Sequence, residues 1–471
     1  MSGKMNENKS FLKSRYRPEI DGLRAFAVVA VIINHFNKEL LPNGYLGVDI
    51  FFVISGFVIT SSLYQRPSKD FKDFISGFYE RRVKRLVPAL SVFVLITGIA
   101  ICLFNPFPEI SLWTGITSLF GLSNLYLLKR STDYFAESTA LNVFTHTWSL
   151  GVEEQFYILF PFLIWMSGFG RQTKNGIRNL FYIVGTLTIA SLVGFLYLHP
   201  TNQTAAYFLM TSRFWEMATG CLLFIGFQKQ ASIKQFLEKV PPFAVLALIV
   251  AVMYLPISMA SASTIAIVIL TSILIASLNK QTTAFKVFTN PKVIYIGLIS
   301  YSLYLWHWGV ISLSRWTIGI HWWSIPFQVA LILGLAISSY QYIETPFRKG
   351  NWFGKRWKTI AVGGGILVMV SSGLGILGKP LKGKFFSGNR SNIIVRTVRS
   401  EDWRNNLRLG KSPLTGEKCF AEKSYSELQL RTLYEKCKLP IKRTSKNQTT
   451  VLFVGDSHAF SLMGAEEIIS E

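Results

Sequence analysis

Cysteine, charge and acidic side chains are all scarce in this chain of 471 residues. Its four cysteines are too few for the disulfide framework of a small secreted domain. Only 16% of the residues are charged, while 50% are hydrophobic and the mean hydropathy is +0.34. This composition argues against an ordinary soluble domain and is typical of a polytopic membrane protein.

Basic residues outnumber acidic ones, with 49 Lys and Arg against 26 Asp and Glu and a net charge of +23. Such a charge can indicate nucleic-acid binding. Here, however, the basic residues cluster between apolar runs, as cytoplasmic loops do under the positive-inside rule. We therefore expect no nucleic-acid partner. The polar, basic segment 1–22 shows no cleavable signal peptide and leads directly into the first apolar run, so we expect it to stay in the cytoplasm.

Many of the apolar runs are long enough to cross a hydrocarbon core of about 30 Å. They lie near 22–42, 44–64, 86–105, 108–128, 148–168, 180–198, 205–227, 242–259, 262–279, 291–313, 325–343 and 359–378. Two runs separate most successive basic loops, but three separate the loops at 80–85 and 170–178, so one of those three should not cross. The weakest is 108–128, which Pro, Gly, Ser and Asn interrupt, and we expect it to be re-entrant or to lie on the outer surface. The sequence thus predicts an all-α polytopic membrane protein with about eleven transmembrane helices.

The character of the chain changes near residue 379, where it becomes polar and charged. Eleven crossings from a cytoplasmic N-terminus would place this tail outside the cytoplasm. The spacing of Cys419 and Cys437 would permit a disulfide in an oxidising compartment, whereas Cys102 and Cys221 lie in apolar runs and are interpreted as packing residues. The stretch "TVLFVGDSHAFSL" predicts a buried strand that delivers Gly-Asp-Ser-His to a following helix.

Two ionisable residues bracket the first apolar run, Arg24 and His35. Eleven residues make almost three helical turns, so the two side chains should share one face, about 16 Å apart along the axis. Arg24 would lie at the cytoplasmic edge and His35 in the outer half of the membrane. The alternative interpretations are purely structural: Arg24 would be an interfacial arginine that extends to the membrane surface, and His35 would be a histidine that only packs.

Three carboxylates lie near the outer ends of later apolar runs. Asp49 is expected close to the level of His35, where it could orient the imidazole, or else cap its own helix. Glu153 and Glu154 are adjacent and point about 100° apart on a helix, so both cannot face one partner. Carboxylates are expensive inside a membrane, and this cost favours a functional role for them.

A dense cationic cluster, Arg81, Arg82 and Arg85, lies at the predicted cytoplasmic surface. It could set topology and attract anionic membrane lipid, or it could bind phosphate through guanidinium groups. The predicted cations lie at the cytoplasmic face of the membrane, and the histidine and the carboxylates lie toward the outer face. This arrangement would suit a cytoplasmic donor that has phosphates and a long reactive arm. A coenzyme A thioester has that shape.

Two further groups of polar residues in the apolar runs have simple structural interpretations. Arg213 and Glu216 lie three residues apart and would neutralise each other within the bundle. The second group lies near the outer end of its apolar run, and its simpler interpretation is an interfacial aromatic belt. It consists of Tyr301, Trp306, His307 and Trp308.

The order of several blocks resembles the signature of the acyltransferase-3 membrane family, in particular its branch fused to an exported SGNH-type domain. These blocks are "YRPEIDGLRAFAVVAVIINHF", "GYLGVDIFFVISGFVIT", "FYERRVKRLVPAL", "HTWSLGVEEQFYILFP" and "YSLYLWHW". The resemblance covers about 16–345 and implies a ten-helix acyltransferase core, with Arg24 and His35 in its Arg-x10-His element. It further implies a cytoplasmic tail at 1–15, a basic cytoplasmic loop at 346–358, one additional transmembrane helix at 359–378, an exported linker at 379–450 and the incomplete α/β start of an SGNH domain at 451–471.

In that tail, the Gly-Asp-Ser-His block resembles the first block of SGNH hydrolases and makes Ser457 the candidate nucleophile. The family's Asp-x-x-His block does not occur in 379–450 or after Ser457. We therefore expect the SGNH part to be truncated, and neither to fold nor to act within this chain.

The resemblance implies transfer of an acyl group, usually acetyl, from cytoplasmic acetyl-CoA to a cell-surface glycan such as lipopolysaccharide O-antigen, peptidoglycan or exopolysaccharide. The arginines would hold the donor, His35 would act as general base or acyl carrier, and no metal is expected. The protein would lie in the bacterial cytoplasmic membrane. The alternative from another class is a membrane transporter of a glycan or lipid-linked sugar, in which buried charges form a path.

Overall fold

The structure is a computed structural model that describes residues 16–66, 68, 70–131, 140–229, 235, 237–352, 354–381 and 384–387. The described residues form helices and connecting turns, without strands. All of these helices lie in the first of two compact units, Met1–Phe386. The predicted linker and SGNH start lie outside the described residues.

The α-helices begin and end as follows: α1 Pro18–Phe36, α2 Gly47–Tyr64, α3 Phe71–Phe104, α4 Glu109–Leu119, α5 Ser123–Ser131, α6 Trp148–Met166, α7 Gly176–Thr201, α8 Gln203–Phe208, α9 Met210–Lys229, α10 Pro242–Met253, α11 Ala260–Ser277, α12 Thr283–Phe288, α13 Pro291–Leu298, α14 Ser300–Trp316, α15 Ile325–Ser338, α16 Thr345–Lys349 and α17 Arg356–Gly378. Single 3₁₀ turns at Gly44–Leu46, Thr145–Thr147 and Ile257–Met259 precede α2, α6 and α11, and a π-helical stretch, Ser339–Glu344, joins α15 to α16.

Six helices in the described part of the chain are long and apolar enough to cross a membrane. They are Gly44–Tyr64, Phe71–Phe104, Gly176–Thr201, Ile257–Ser277, Ile325–Lys349 and Arg356–Gly378. The pair α13 and α14, bent by 66°, would make seven if it forms one broken span. The described part of the chain is therefore all-helical, and the protein crosses the membrane several times, while the count of about eleven crossings stays a prediction.

The interrupted run near 108–128 does not form one helix. It divides into α4 and α5, and the break lies at Gly121, whose φ of 68° is in the left-handed region that favours glycine. A Cβ at Gly121 would also press on the side chain of Glu154. A break at this point fits a run that small and turn-forming residues interrupt, and the expectation that the run is re-entrant or lies on the outer surface stays a prediction.

Close helix contacts hold α1, α2 and α9 together. A Cβ at Gly47 would overlap the backbone carbonyl of Ala27 in α1, and one at Gly56 would overlap the carbonyl of Met217 in α9. Only glycine permits backbones to approach this closely. The resulting core fixes α1, and with it Arg24 and His35, against the centre of the bundle.

Candidate functional site

The first helix carries Arg24 and His35 toward the interior of the protein. Arg24 donates to Asp21 one turn earlier, with Nη1 3.3 Å from Oδ1, and its side chain is 17% exposed. His35 lies in the last turn of α1 and contacts α14. The residues Val29 and Ile33 between them are exposed on the other face of the helix, where lipid would lie.

The partner of His35 is a second imidazole. His35 Nδ1 lies 2.9 Å from His307 Nε2, and the two rings are nearly parallel, 4° apart in plane. The other ring nitrogen of His307, Nδ1, lies 2.6 Å from the backbone carbonyl oxygen of Tyr304. The edge of Trp308 packs on His35 with ring centroids 4.6 Å apart. The Tyr304 carbonyl and the Trp308 ring, both of α14, thus hold this imidazole pair in place.

A third imidazole, His146, lies beside this pair. It is 3% exposed, its ring centroid is 5.6 Å from that of His307, and neither ring nitrogen has a hydrogen-bond partner among the described residues. Its backbone carbonyl accepts from the hydroxyl of Tyr304 at 3.0 Å. That hydroxyl also lies 2.7 Å from Ser149 Oγ. Tyr304 therefore joins the imidazole cluster to the space below it.

That space is a cavity of about 140 Å³. Its lining combines cations, acids and hydroxyl groups. The polar residues around it are Asp21, Arg24, Ser55, Arg82, Arg85, Ser149, Glu153, Tyr157, Ser300, Tyr301 and Tyr304. The cavity reaches from the guanidinium groups up to Tyr304, whose backbone carbonyl touches His307.

The two adjacent glutamates diverge, as their spacing predicts. Glu153 lines the cavity and accepts hydrogen bonds from Ser55 Oγ and, at 2.6 Å, from the hydroxyl of Tyr157. Glu154 packs against Gly121 instead. We expected Glu153 near the outer end of its run, at a depth similar to that of His35. It lies instead in the cavity that the arginines line. Tyr157 was missed in the sequence, although it follows Glu153 by one helical turn.

The predicted cluster of three arginines divides between two cavities. Arg82 and Arg85 line the first cavity, and the Arg82 guanidinium lies 4.2 Å from the ring centroid of Tyr157. Arg81 faces a second space of about 220 Å³ together with Arg66 and Arg356. The expectation of a single cradle is corrected accordingly, because neighbouring residues of a helix point about 100° apart.

Asp49 has a different partner from the one expected. Its Oδ1 lies 3.0 Å from Arg213 Nη2, and Arg213 Nη1 lies 2.9 Å from Glu216 Oε1. All three side chains are at most 4% exposed. The expected pairing of Arg213 with Glu216 is present, while His35 receives an imidazole and not the Asp49 carboxylate. A buried guanidinium needs counter-charges, which accounts for this arrangement.

The aromatic-belt interpretation is wrong for the group on α14. Tyr301, Trp306, His307 and Trp308 are all 8% exposed or less, inside the protein. Two of them also have interior hydrogen-bond partners: the hydroxyl of Tyr301 donates to Leu86 O at 3.1 Å, and Trp308 Nε1 donates to Asn142 O at 2.9 Å. A ring in a lipid interface would direct its polar atom to water.

Two predicted features lie outside the described residues: the nucleophile Ser457 and the pair Cys419 and Cys437. In the part of the chain that the structure describes, Cys102 and Cys221 are buried free thiols. That part also holds no group of His, Cys, Asp and Glu that could bind a metal ion.

Comparisons with known proteins give one family and several relatives. The acyltransferase-3 family, described as an acyltransferase domain, matches residues 17–377. A provisionally named O-acetyltransferase of Staphylococcus aureus strain MRSA252 is 34% identical over 378 residues, which are 75% of this chain and 61% of the relative. The O-acetyltransferase OatA of Staphylococcus aureus strain NCTC 8325 is 33% identical over 359 residues, which are 71% of this chain and 58% of OatA. The match thus spans about three fifths of each relative. No solved structure matches the chain.

Proposed function

Because the chain belongs to the acyltransferase-3 family, we propose that it is a membrane O-acyltransferase. It transfers an acyl group, in the first place acetyl, from cytoplasmic acyl-CoA to a hydroxyl group of a glycan on the other side of the membrane. The relatives' names as O-acetyltransferases support the reaction type. In this proposal the protein lies in the bacterial cytoplasmic membrane, with its N-terminus inside and its C-terminal tail outside.

The donor binds on the side of the arginines. Arg24, Arg82 and Arg85 present guanidinium groups to one cavity, and such groups suit phosphate oxygens. Arg81 lies in the neighbouring space and extends the positive field toward the cytoplasmic end of α3. The phosphates of acetyl-CoA remain at these cations, and its thioester arm reaches along the cavity toward Tyr304.

The acceptor meets the donor at the imidazole end. His35 takes the proton of the attacking hydroxyl as that oxygen forms a bond to the thioester carbonyl carbon. The carbon–sulfur bond then breaks, and the departing thiolate takes the proton from the imidazolium. In a variant of this route the acetyl group rests on His35 before it moves on. The acceptor is a glycan hydroxyl or the Ser457 hydroxyl, which would pass the group to the glycan.

One observation carries the proposal: a single continuous helix presents a cation to the cavity and an imidazole to the histidine cluster. Eleven residues place these groups about 16 Å apart along the axis. This separation is comparable to the reach of a coenzyme A arm, so the phosphates and the reacting carbonyl can occupy the two ends together.

The test is thiol release from acetyl-CoA by purified protein in lipid nanodiscs, with and without an added chito-oligosaccharide. We expect His35→Ala to lower the rate by about 100-fold or more, the usual loss when a general base is removed. His321→Ala is the matched control, because His321 is an exposed histidine that contacts Trp323 and lies in the turn before α15. Release unchanged by His35→Ala would contradict the mechanism, and sugar flux without consumption of acetyl-CoA would favour the transporter.

A further inference from the structure

We infer that His307 is a positioning residue that fixes the tautomer of His35, so that Nε2 of His35 is the reacting nitrogen. The role of His35 in this inference rests on the proposed function, whereas the tautomer itself does not. An imidazole can serve as a base only through the ring nitrogen that lacks a proton, and the partner of the other nitrogen decides which one that is. The hydrogen bonds of the imidazole pair decide it here.

His307 carries a proton on Nδ1. Its Nδ1 lies 2.6 Å from the carbonyl oxygen of Tyr304 and 3.2 Å from that of Leu303. A carbonyl oxygen has no proton to donate, so the bond forms only if Nδ1 carries one. His307 therefore holds a proton on Nδ1 in every state in which this contact exists.

The surroundings of His307 favour its neutral form. The side chain is fully buried, and among the residues that the structure describes the titratable groups in ring contact with it are His35 of α1, His146 of the turn before α6, and Tyr304 of its own helix. None of these is a carboxylate. An imidazolium there would be a buried cation without a counter-charge among these groups, and such a cation is strongly disfavoured inside a protein. The neutral form of His307 then leaves a lone pair on Nε2.

The lone pair of His307 determines where His35 carries its proton. Its Nδ1 is 2.9 Å from His307 Nε2, and a lone pair at that position can only accept. His35 Nδ1 therefore carries the proton, and His35 Nε2 carries the lone pair. The near-parallel rings and the edge of Trp308 hold the imidazole in this orientation.

The consequence for the reaction is a fixed direction of proton transfer. His35 Nε2 forms the new N–H bond as the O–H bond of the acceptor breaks, and it returns that proton to the sulfur that leaves the donor. Nδ1 keeps its own proton throughout, held toward His307. Fixing the tautomer of a catalytic histidine through an acceptor on its other nitrogen is worth up to about 10⁴-fold in rate in enzymes where it has been removed.

Three variants of the full-length protein test the inference in the thiol-release assay. His307→Phe keeps a ring of similar size but offers no acceptor, and we expect kcat to fall at least about 100-fold while KM for acetyl-CoA changes less than about twofold. His307→Gln places an amide oxygen near the position of Nε2, and we expect it to recover kcat to within about tenfold of the wild type. His321→Phe is the control and should keep wild-type values. A folded His307→Phe protein with wild-type kcat would overturn the inference.

A spectroscopic measurement decides the tautomer without reference to activity. Nitrogen-15 NMR of the histidine-labelled wild-type protein, with the His35 signals assigned by their loss in His35→Ala, should show a protonated Nδ1 and an unprotonated Nε2. The reverse pattern would overturn the inference even if His307→Phe proved too unstable to assay. Failure of the proposed function has a separate signature whatever the tautomer is, because the wild type would then release no thiol from acetyl-CoA, or His35→Ala would release it as fast as the wild type.

Discussion

Arg213 is the side chain whose loss should destabilise the protein most clearly. It lies between Asp49 of α2 and Glu216 of its own helix, with nitrogen–oxygen distances of 3.0 and 2.9 Å. Three aromatic rings surround the guanidinium, each with its centroid 5.7 Å away, from Phe52, Trp148 and Tyr207. The substitution Arg213→Met keeps much of the length of the side chain and removes its charge.

The expected loss follows from burial. The side chains of Arg213, Asp49 and Glu216 are 4%, 1% and 0% exposed, so no water can replace the missing cation. Removing one partner of a buried ion pair costs about 3–5 kcal/mol, mainly because a charge is left uncompensated. Here two carboxylates would share one apolar site. The triple variant Asp49→Asn, Arg213→Met, Glu216→Gln removes all three charges and should recover most of that loss, because neutral replacement of a buried ion pair is often close to neutral in stability.

The measurement is the thermal midpoint of each purified variant in detergent, followed by the retention of a single monodisperse peak on gel filtration. Arg213→Met should unfold well below the wild type, and the triple variant should lie close to it. A single variant as stable as the wild type, or a triple variant as unstable as the single one, would refute the reasoning. Thiol release by the triple variant adds a functional result: if it is retained, the Asp49 carboxylate is a structural counter-ion and does not tune His35.

Three further predictions concern packing and the cavity. Gly56→Ala should lower the free energy of unfolding by about 1–3 kcal/mol, and with it the thermal midpoint, because the new methyl group meets the backbone of α9. Gly364→Ala is the control and should not lower the thermal midpoint, because the space around its Cβ is open. Arg82→Met should raise KM for acetyl-CoA by about tenfold or more while kcat changes less, since a charged hydrogen bond to phosphate contributes about 1.5–3 kcal/mol; equal KM values would contradict the placement of the donor. Glu153→Leu should cost about 1–3 kcal/mol in thermal stability because it leaves the hydroxyls of Ser55 and Tyr157 without their acceptor, whereas Glu153→Gln should cost clearly less.

The sequence was informative wherever a property depends on neighbours along the chain. Composition and hydropathy predicted a polytopic helical protein, and helical periodicity placed Arg24 and His35 on one continuous helix, with both directed into the bundle. The same periodicity separated Glu153 from Glu154. The run near 108–128, interrupted by small residues, forms two short helices, and the expectation that it is re-entrant or lies on the outer surface stays a prediction.

Partnerships between distant segments could not be predicted in this way. Asp49 and Arg213 belong to different helices, and nothing in either local sequence specifies that the two side chains meet. The expectation that Asp49 pairs with His35 assumed that similar depth in the membrane implies contact. Depth fixes one coordinate only, and the close packing of α2 on α9 through Gly56 turns Asp49 toward Arg213 instead.

His307 shows where a local reading of sequence gives the wrong answer for a physical reason. Trp, Tyr and His near the end of an apolar run are typical of an interfacial belt, because such rings have an apolar body and a polar tip. The same property also suits a buried helix whose polar tips find backbone carbonyls, and α14 is such a helix: Tyr301, Trp308 and His307 all bond to main-chain oxygens. The distinction between the two cases is whether other helices surround the run, which depends on the whole bundle. Because α14 is surrounded, its histidine is available to orient another histidine, and a lipid-facing position would have left His35 without that acceptor.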